Sequence, residues 1–169
     1  MGRWRPPPEK SSPYITAEGA LAMKTQLAEL WSLRRNDVVP ALSAAAAEGD
    51  RSENAEYIYR KKQLGEIDRN IRYITKRLEV MKVVDQAPSN RNKIYFGARI
   101  ELLNEQGTQH SYRIVGPDET DAAKGYISMD SPMAKALLGR QPGDVVRVQL
   151  PQGRVELEVM GVSYSVTPA

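Results

Sequence analysis

Residues 64–81 read Leu64-Gly65-Glu66-Ile67-Asp68-Arg69-Asn70-Ile71-Arg72-Tyr73-Ile74-Thr75-Lys76-Arg77-Leu78-Glu79-Val80-Met81. Within them Leu64, Ile67, Ile71, Ile74, Leu78 and Met81 recur at alternating spacings of three and four, which lines them up on one stripe of a helix as the seam of a coiled coil. A seam needs a partner. Upstream, Leu21, Leu27, Leu30, Trp31, Val38, Leu42 and Ala45 form a looser apolar stripe that can face it. The link between the two is short, so the helices are expected to be antiparallel neighbours. That link is Gly49-Asp50-Arg51-Ser52-Glu53-Asn54-Ala55-Glu56, a turn crowded with polar side chains, and it reads as the tip of a helical hairpin. With about 30 residues per arm at roughly 1.5 Å each, the tip would stand on the order of 45 Å from the hairpin's base.

Outward from the tip, Thr16 is the expected N-cap of the first arm, which runs to about Ala47 through the strongly helix-forming run Ala44 to Ala47. Pro40 interrupts that arm. A proline inside a helix removes a hydrogen bond and costs about 3 kcal/mol unless the chain yields, so a bend is expected just before it. The second arm spans about Glu53 to Lys82, giving a hairpin over residues 14–84 with its tip at 49–56. Residues 1–13, rich in proline and charge, read as a disordered tail with Trp4 its one residue able to dock. Residues 85–92, with Pro88 among serines and asparagines, read as a linker.

Beyond the linker the period drops to two. Ala98 to Leu102 alternates and His110 to Val115 can return as its partner; Val146, Val148 and Leu150, then Val155, Leu157 and Val159, alternate across the turn at Pro151-Gln152-Gly153. Between them Ser131 as N-cap, Pro132 and Gly139 bracket one short helix. The expected fold is α+β: an N-terminal antiparallel coiled-coil hairpin, then a small antiparallel sheet domain over 93–169 with a single short helix. Leu137, Leu138, Val146, Val148, Leu157 and Val159 should form much of its core.

Composition excludes several classes of protein. The chain has no cysteine, so disulfides and thiolate metal sites are out. No apolar run reaches the roughly 20 residues of a membrane span, and Met1 to Lys10 lacks the apolar core of a signal peptide, so a cytoplasmic protein without membrane contact is expected. The net charge of +3 is unevenly spread. Arg60, Lys61, Lys62, Arg69, Arg72, Lys76 and Arg77 face only Glu66 and Asp68 over the same stretch, whereas acidic residues slightly outnumber basic ones after Gly97. The basic character belongs to the hairpin.

With Leu64 at heptad position a, Lys62, Arg69 and Lys76 fall at the outermost position f, with Arg72 beside them at b. This ridge is either a solvated face balanced by Glu66 and Asp68, or a track for a nucleic-acid backbone or an acidic channel. At the tip, Asp50 and Glu53 are three residues apart. They fit a capping interaction at the start of the second arm, or an exposed carboxylate pair that completes a metal site on another molecule, since Mg²⁺ takes one or two carboxylates and keeps its waters. Without a second acidic cluster, and with His110 the lone histidine, the chain does not read as a nuclease by itself.

The tip sequence, Gly49 to Tyr57, resembles that of the bacterial Gre transcript-cleavage factors, and further matching stretches are Ile94 to Ala98, Tyr112 to Gly116, Ile127 to Pro132 and Pro151 to Gly153. The likeness spans about Tyr14 to Val166, and the tip with Tyr57 to Lys62 and the basic second arm is similar to GreB-type rather than GreA-type members. It implies an FKBP-like C-terminal domain that binds bacterial RNA polymerase and a coiled coil inserted into the polymerase secondary channel. It further implies stimulation of the polymerase's own Mg-dependent cleavage of backtracked RNA, without enzyme activity of the factor's own. Carried over by position, Asp50 and Glu53 would share Mg²⁺ with the polymerase active centre, no cofactor being bound by the chain alone. Arg51, Ser52 and Asn54 would support the tip, and Lys62, Arg69, Arg72 and Lys76 would face the extruded RNA 3′ end or the channel wall. The free protein is expected to be a monomer. A channel-binding regulator that inhibits instead, and a basic coiled-coil module that binds RNA directly, are the competing readings.

Overall fold

The computed structural model describes residues 10–50 and 53–165. The chain divides into two compact units, residues 20–81 on the one hand and the chain up to Gly19 together with everything from Lys82 onward on the other.

In the helical unit, α1 (Ala17–Leu33) and α2 (Val39–Ala47) form the first arm and α3 (Ala55–Val80) the second. Between α1 and α2 the backbone stays helical but widens into a π turn over Arg34–Val38, where the Val39 N–H donates to the Arg34 carbonyl. This is how the chain accommodates Pro40. Its missing N–H falls in the first turn of α2, next to a ladder that the π turn has already shifted, so the arm continues without a break.

The π turn also explains which apolar residues reach the seam. The inward positions of the first arm run Ala20, Met23, Leu27 and Leu30, then step through Arg34 to Val38 and on to Ala45. Leu21 and Trp31, expected on the stripe, are instead 67% and 43% exposed. Each follows an inward residue, Ala20 or Leu30, by one position, which on a helix is about 100° of rotation away. The expectation failed because it weighted large side chains, whereas alanine fills the seam at positions 20 and 45. On α3 the seam stands as read from Leu64 to Leu78, with Ile67, Ile71 and Ile74 buried and Leu64 and Leu78 half-buried, while Met81 lies half-buried just past the helix end. Val38 is fully buried against Ile67 and Ile71, with Leu27, Leu30 and Leu64 around them. Ion pairs between the arms flank this knot: Arg34 to Asp68 at 2.8 Å and Asp37 to Arg60 at 3.3 Å.

The second arm ends at Val80, short of the expected Lys82, because Met81 turns extended and Lys82–Val84 forms a strand. That strand, β2, pairs in parallel with β1 (Tyr14–Thr16), Ile15 opposite Val83. Neither was expected, since three-residue strands leave no readable alternation. The main sheet contains β3 (Arg99–Asn104), β4 (Gln109–Val115), β5 (Tyr126–Ser128), β6 (Val145–Leu150) and β7 (Gly153–Ser163) in the order β5-β4-β3-β7-β6. Its pairs are antiparallel except β4 with β5, which run parallel, so the sheet is mixed rather than wholly antiparallel. The short helix α4 (Pro132–Leu137) is capped by the Ser131 hydroxyl, which accepts from the Ala134 N–H at 3.2 Å. Leu137, Val146, Val148, Leu157 and Val159 are buried as expected and Leu138 packs at their edge; Ile94, Ile100, Leu102 and Ile114 complete the core.

The N-terminal segment is stitched to this unit. Thr16 caps α1, its hydroxyl accepting from the Gly19 N–H at 3.0 Å, while its own N–H donates to Glu119 at 3.0 Å and its hydroxyl hydrogen-bonds the same carboxylate. The Gly116 N–H is a further donor to Glu119, at 2.8 Å, and a Cβ added at Gly116 would collide with the Tyr14 carbonyl oxygen. Of the tail expected over 1–13, Ser12 and Pro13 are held in the fold, the Ser12 N–H donating to Asp130 at 2.9 Å and the Pro13 carbonyl accepting from the Lys82 N–H at 2.9 Å; residues 1–9, Trp4 among them, lie outside the described residues. Burial pulls the Arg113 guanidinium down, but its hydrogen bonds to Glu18, at 2.8 Å, and to Tyr126 outweigh that and hold it above its ordinary pKa. Among the described residues no helix is long and apolar enough to cross a membrane.

Because Glu119 gathers donors from two stretches of chain, Glu119→Ala should lower stability by about 1–3 kcal/mol. The check is the urea unfolding midpoint, and an unchanged midpoint would show that the hydrogen bonds gathered by Glu119 add nothing to the fold.

Candidate functional site at the hairpin tip

The tip begins where α2 runs out. The Glu48 N–H donates to the Ala45 carbonyl at 3.2 Å, and Gly49 then takes a φ of +136°, a region costly for any residue with a Cβ. The return is set by Asn54. Its Oδ1 accepts from the Tyr57 N–H at 3.0 Å, capping α3, while its Nδ2 donates to the Ala45 carbonyl at 2.7 Å, covering the end of α2. One amide thus ties both helix ends together.

This arrangement bears on the two readings of the acidic pair. The N-cap of α3 is Asn54, so neither Asp50 nor Glu53 holds that position, and both precede the helix. Both residues are exposed. Arg51 and Ser52 lie outside the described residues. Among the described residues no three histidine, aspartate or glutamate side chains converge. Asp50 and Glu53 therefore offer a hard-oxygen donor set that suits Mg²⁺ in kind but supplies only part of its shell.

Just behind the tip, Arg60 is fixed from several sides: Nε to Glu56 at 2.8 Å, and Nη1 to Gln63 at 3.1 Å and to Asp37 at 3.3 Å. The hydrogen bond to Glu56, aided by the charge of Asp37, raises its pKa above the ordinary arginine value. Its guanidinium lies 5.7 Å from the centroid of the Tyr59 ring, and the Lys61 ammonium lies 5.9 Å from that of Tyr57.

Further along α3, Lys62, Arg69, Arg72 and Lys76 are all exposed on the side away from the buried isoleucines. Asp68, counted from sequence as a balancing charge, is engaged across the arms by Arg34. Among the described residues none of the ridge side chains is in an ion pair. The ridge is left with a surplus of positive charge. Sequence reasoning missed the double role of Asn54 and the clamp on Arg60. The first had a readable signal, an Asn three residues ahead of Tyr57 at a helix start; the second depends on Asp37 of the other arm and had none.

An acidic turn on a helical hairpin joined to a small mixed-sheet unit defines a class, and comparison with known proteins identifies it. Residues 13–83 match the model of the transcription elongation factor N-terminal domain, and residues 88–164 that of the GreA/GreB transcription elongation factor C-terminal domain. The chain belongs to the GreA/GreB family of transcription elongation factors. It is 57% identical over 166 residues to transcription elongation factor GreB of Xanthomonas axonopodis pv. citri, covering 98% of this chain and 99% of that protein. It is 49% identical over 168 residues to the GreB of Pseudomonas aeruginosa, covering 99% and 100%. The crystal structure of GreA factor homolog 1 (Gfh1) of Thermus thermophilus aligns with a TM-score of 0.41 at 24% identity, covering 88% of this chain and 97% of that one.

If Asn54 closes the turn, Asn54→Ala should cost about 1 kcal/mol of hairpin stability, a factor of about five in local opening. Hydrogen exchange at the Tyr57 amide reads this directly; exchange at the wild-type rate would remove Asn54 from the account of the tip.

Proposed function

We propose that this protein is a transcript-cleavage factor that binds bacterial RNA polymerase through an FKBP-like C-terminal unit and inserts its hairpin into the secondary channel. The observation that carries the reading is the capping of α3 by Asn54, which leaves Asp50 and Glu53 outside the helix as exposed carboxylates at the turn. Family membership supports the transcription role, and the surplus charge on Lys62, Arg69, Arg72 and Lys76 suits an arm that enters a channel holding RNA.

In this mechanism the protein performs no catalysis alone. Asp50 and Glu53 would hold Mg²⁺ jointly with the polymerase's own ligands; once bound there, the ion lowers the pKa of water and offsets charge developing on phosphate. The tip carboxylates orient the attacking water by accepting its hydrogens. Asn54 and Gly49 set the turn that presents them. The ridge attracts the extruded RNA 3′ end by long-range charge, so its contribution falls as salt rises. The free factor is a monomer, and its substrate is the RNA held by an arrested polymerase.

The test is cleavage of a defined backtracked elongation complex by wild type, Asp50→Asn and Glu53→Gln at saturating protein, alongside polymerase binding. Both variants should bind normally and lose on the order of a hundredfold in rate, the usual scale for removing a preorganised electrostatic contact. Full cleavage by both would sink the metal role, and cleavage-free binding by wild type would favour an inhibitory channel regulator.

A further inference from the structure

Outside the seam, α3 carries a second regular stripe. Tyr59, Lys62, Glu66, Arg69, Tyr73, Lys76 and Val80 recur at alternating spacings of three and four, and every one is exposed. Such spacing keeps them on one face of the helix. Three of its members belong to the basic ridge and Glu66 is the lone acid among them; Tyr59 and Tyr73 belong to neither core nor ridge. Their exposures are 59% and 56%. Scattered exposed tyrosines are ordinary, but these two are aligned with the ridge, and Tyr59 is backed. Arg60, immobilised by Glu56, Asp37 and Gln63, lies 5.7 Å from its ring centroid, and Tyr59 stays exposed beside it. A cation fixed against an aromatic ring steadies it at low entropic cost.

We propose that Tyr59 and Tyr73 are base-stacking platforms for single-stranded RNA, with Lys62 and Arg69 holding the phosphates between them and Lys76 those beyond Tyr73. The proposal rests on the reading above, in which extruded RNA lies along the second arm. Aromatic faces interleaved with cations are the surface that binds single strands without sequence preference, because every base has a π face and every nucleotide a phosphate. An acidic protein wall would satisfy the cations but would leave the ring faces without a use. The platforms are 14 positions apart on the helix, about 21 Å along its axis. A short extruded end therefore meets Tyr59 alone, and a longer one meets both. The arm responds to the length of backtracked RNA through its tyrosines.

The experiment compares Tyr59→Ala, Tyr73→Ala and the matching Phe variants on two backtracked complexes, one with an extruded end too short to reach Tyr73 and one long enough to do so. Alanine is a strong helix former, so α3 should persist, and unchanged helical circular dichroism would verify it. Tyr59→Ala should raise the factor concentration for half-maximal cleavage about tenfold on both complexes, within the range known for loss of a base stack, and Tyr73→Ala should do so only on the long one. The Phe variants should match wild type, and binding to polymerase without extruded RNA should be unaltered. Wild-type cleavage with unchanged half-saturation in both Ala variants overturns the platforms alone. So does a Phe variant as weak as Ala, or weakened binding to polymerase that has no extruded RNA, which would assign the rings to a protein contact. A wild-type protein that stimulates no cleavage defeats the cleavage-factor reading, and the platforms fall with it.

Discussion

The hairpin depends on the knot around Val38. A helix gains little from each added residue after its costly nucleus, and in proteins most helical stability comes from packing of its apolar face; what stabilises these arms is the burial of one against the other. Val38 is fully buried between Ile67 and Ile71, worth about 1.5–3 kcal/mol by transfer alone. Close to it in the same arm, Arg34 and Asp37 reach Asp68 and Arg60. Exposed or half-exposed ion pairs of this kind add little energy. Their value is in register: opposite charges in reversed order on the two arms, Arg34 with Asp68 and Asp37 with Arg60, match only one alignment of the helices.

The tip inherits that alignment. Asn54 can bond the Ala45 carbonyl only if the ends of α2 and α3 arrive side by side, and they do because the knot behind them is set. The carboxylates before α3 are therefore presented by a closed turn. Charge follows the same logic. Asp37, Glu56 and Asp68 are engaged with Arg60 and Arg34, so Glu66 is the one acid left among Lys62, Arg69, Arg72 and Lys76, and the ridge keeps a net positive charge.

Much of this was legible in the sequence. The seam on α3, the alternating strands β3, β4, β6 and β7, the Ser131-Pro132 helix start and most of the sheet core follow from periodicity, because burial imposes a period that side chains record. Leu21 and Trp31 misled because the period of the first arm is shifted by the π turn and because alanines fill seam positions that large residues were expected to hold. The pairs β1 with β2 and β4 with β5 were hidden because a three-residue strand is defined by its distant partner and not by its own pattern. At the tip, Asp50 and Glu53 stood out as residue types, yet whether either holds the N-cap of the second arm needed the position of the helix start, and that cap is Asn54.

The π turn has one further consequence. Inserting one residue into a continuous helix turns everything beyond it by about 100° and advances it by about 1.5 Å. The wider turn at Arg34–Val38 absorbs such a step, and so it acts as a fixed angular offset between the first half of the arm and the part that carries the tip. Arms of this construction can change length freely only in whole seam repeats. A single added or deleted residue elsewhere in α1 or α2 would turn the acidic turn away from its bearing even if every contact near it survived.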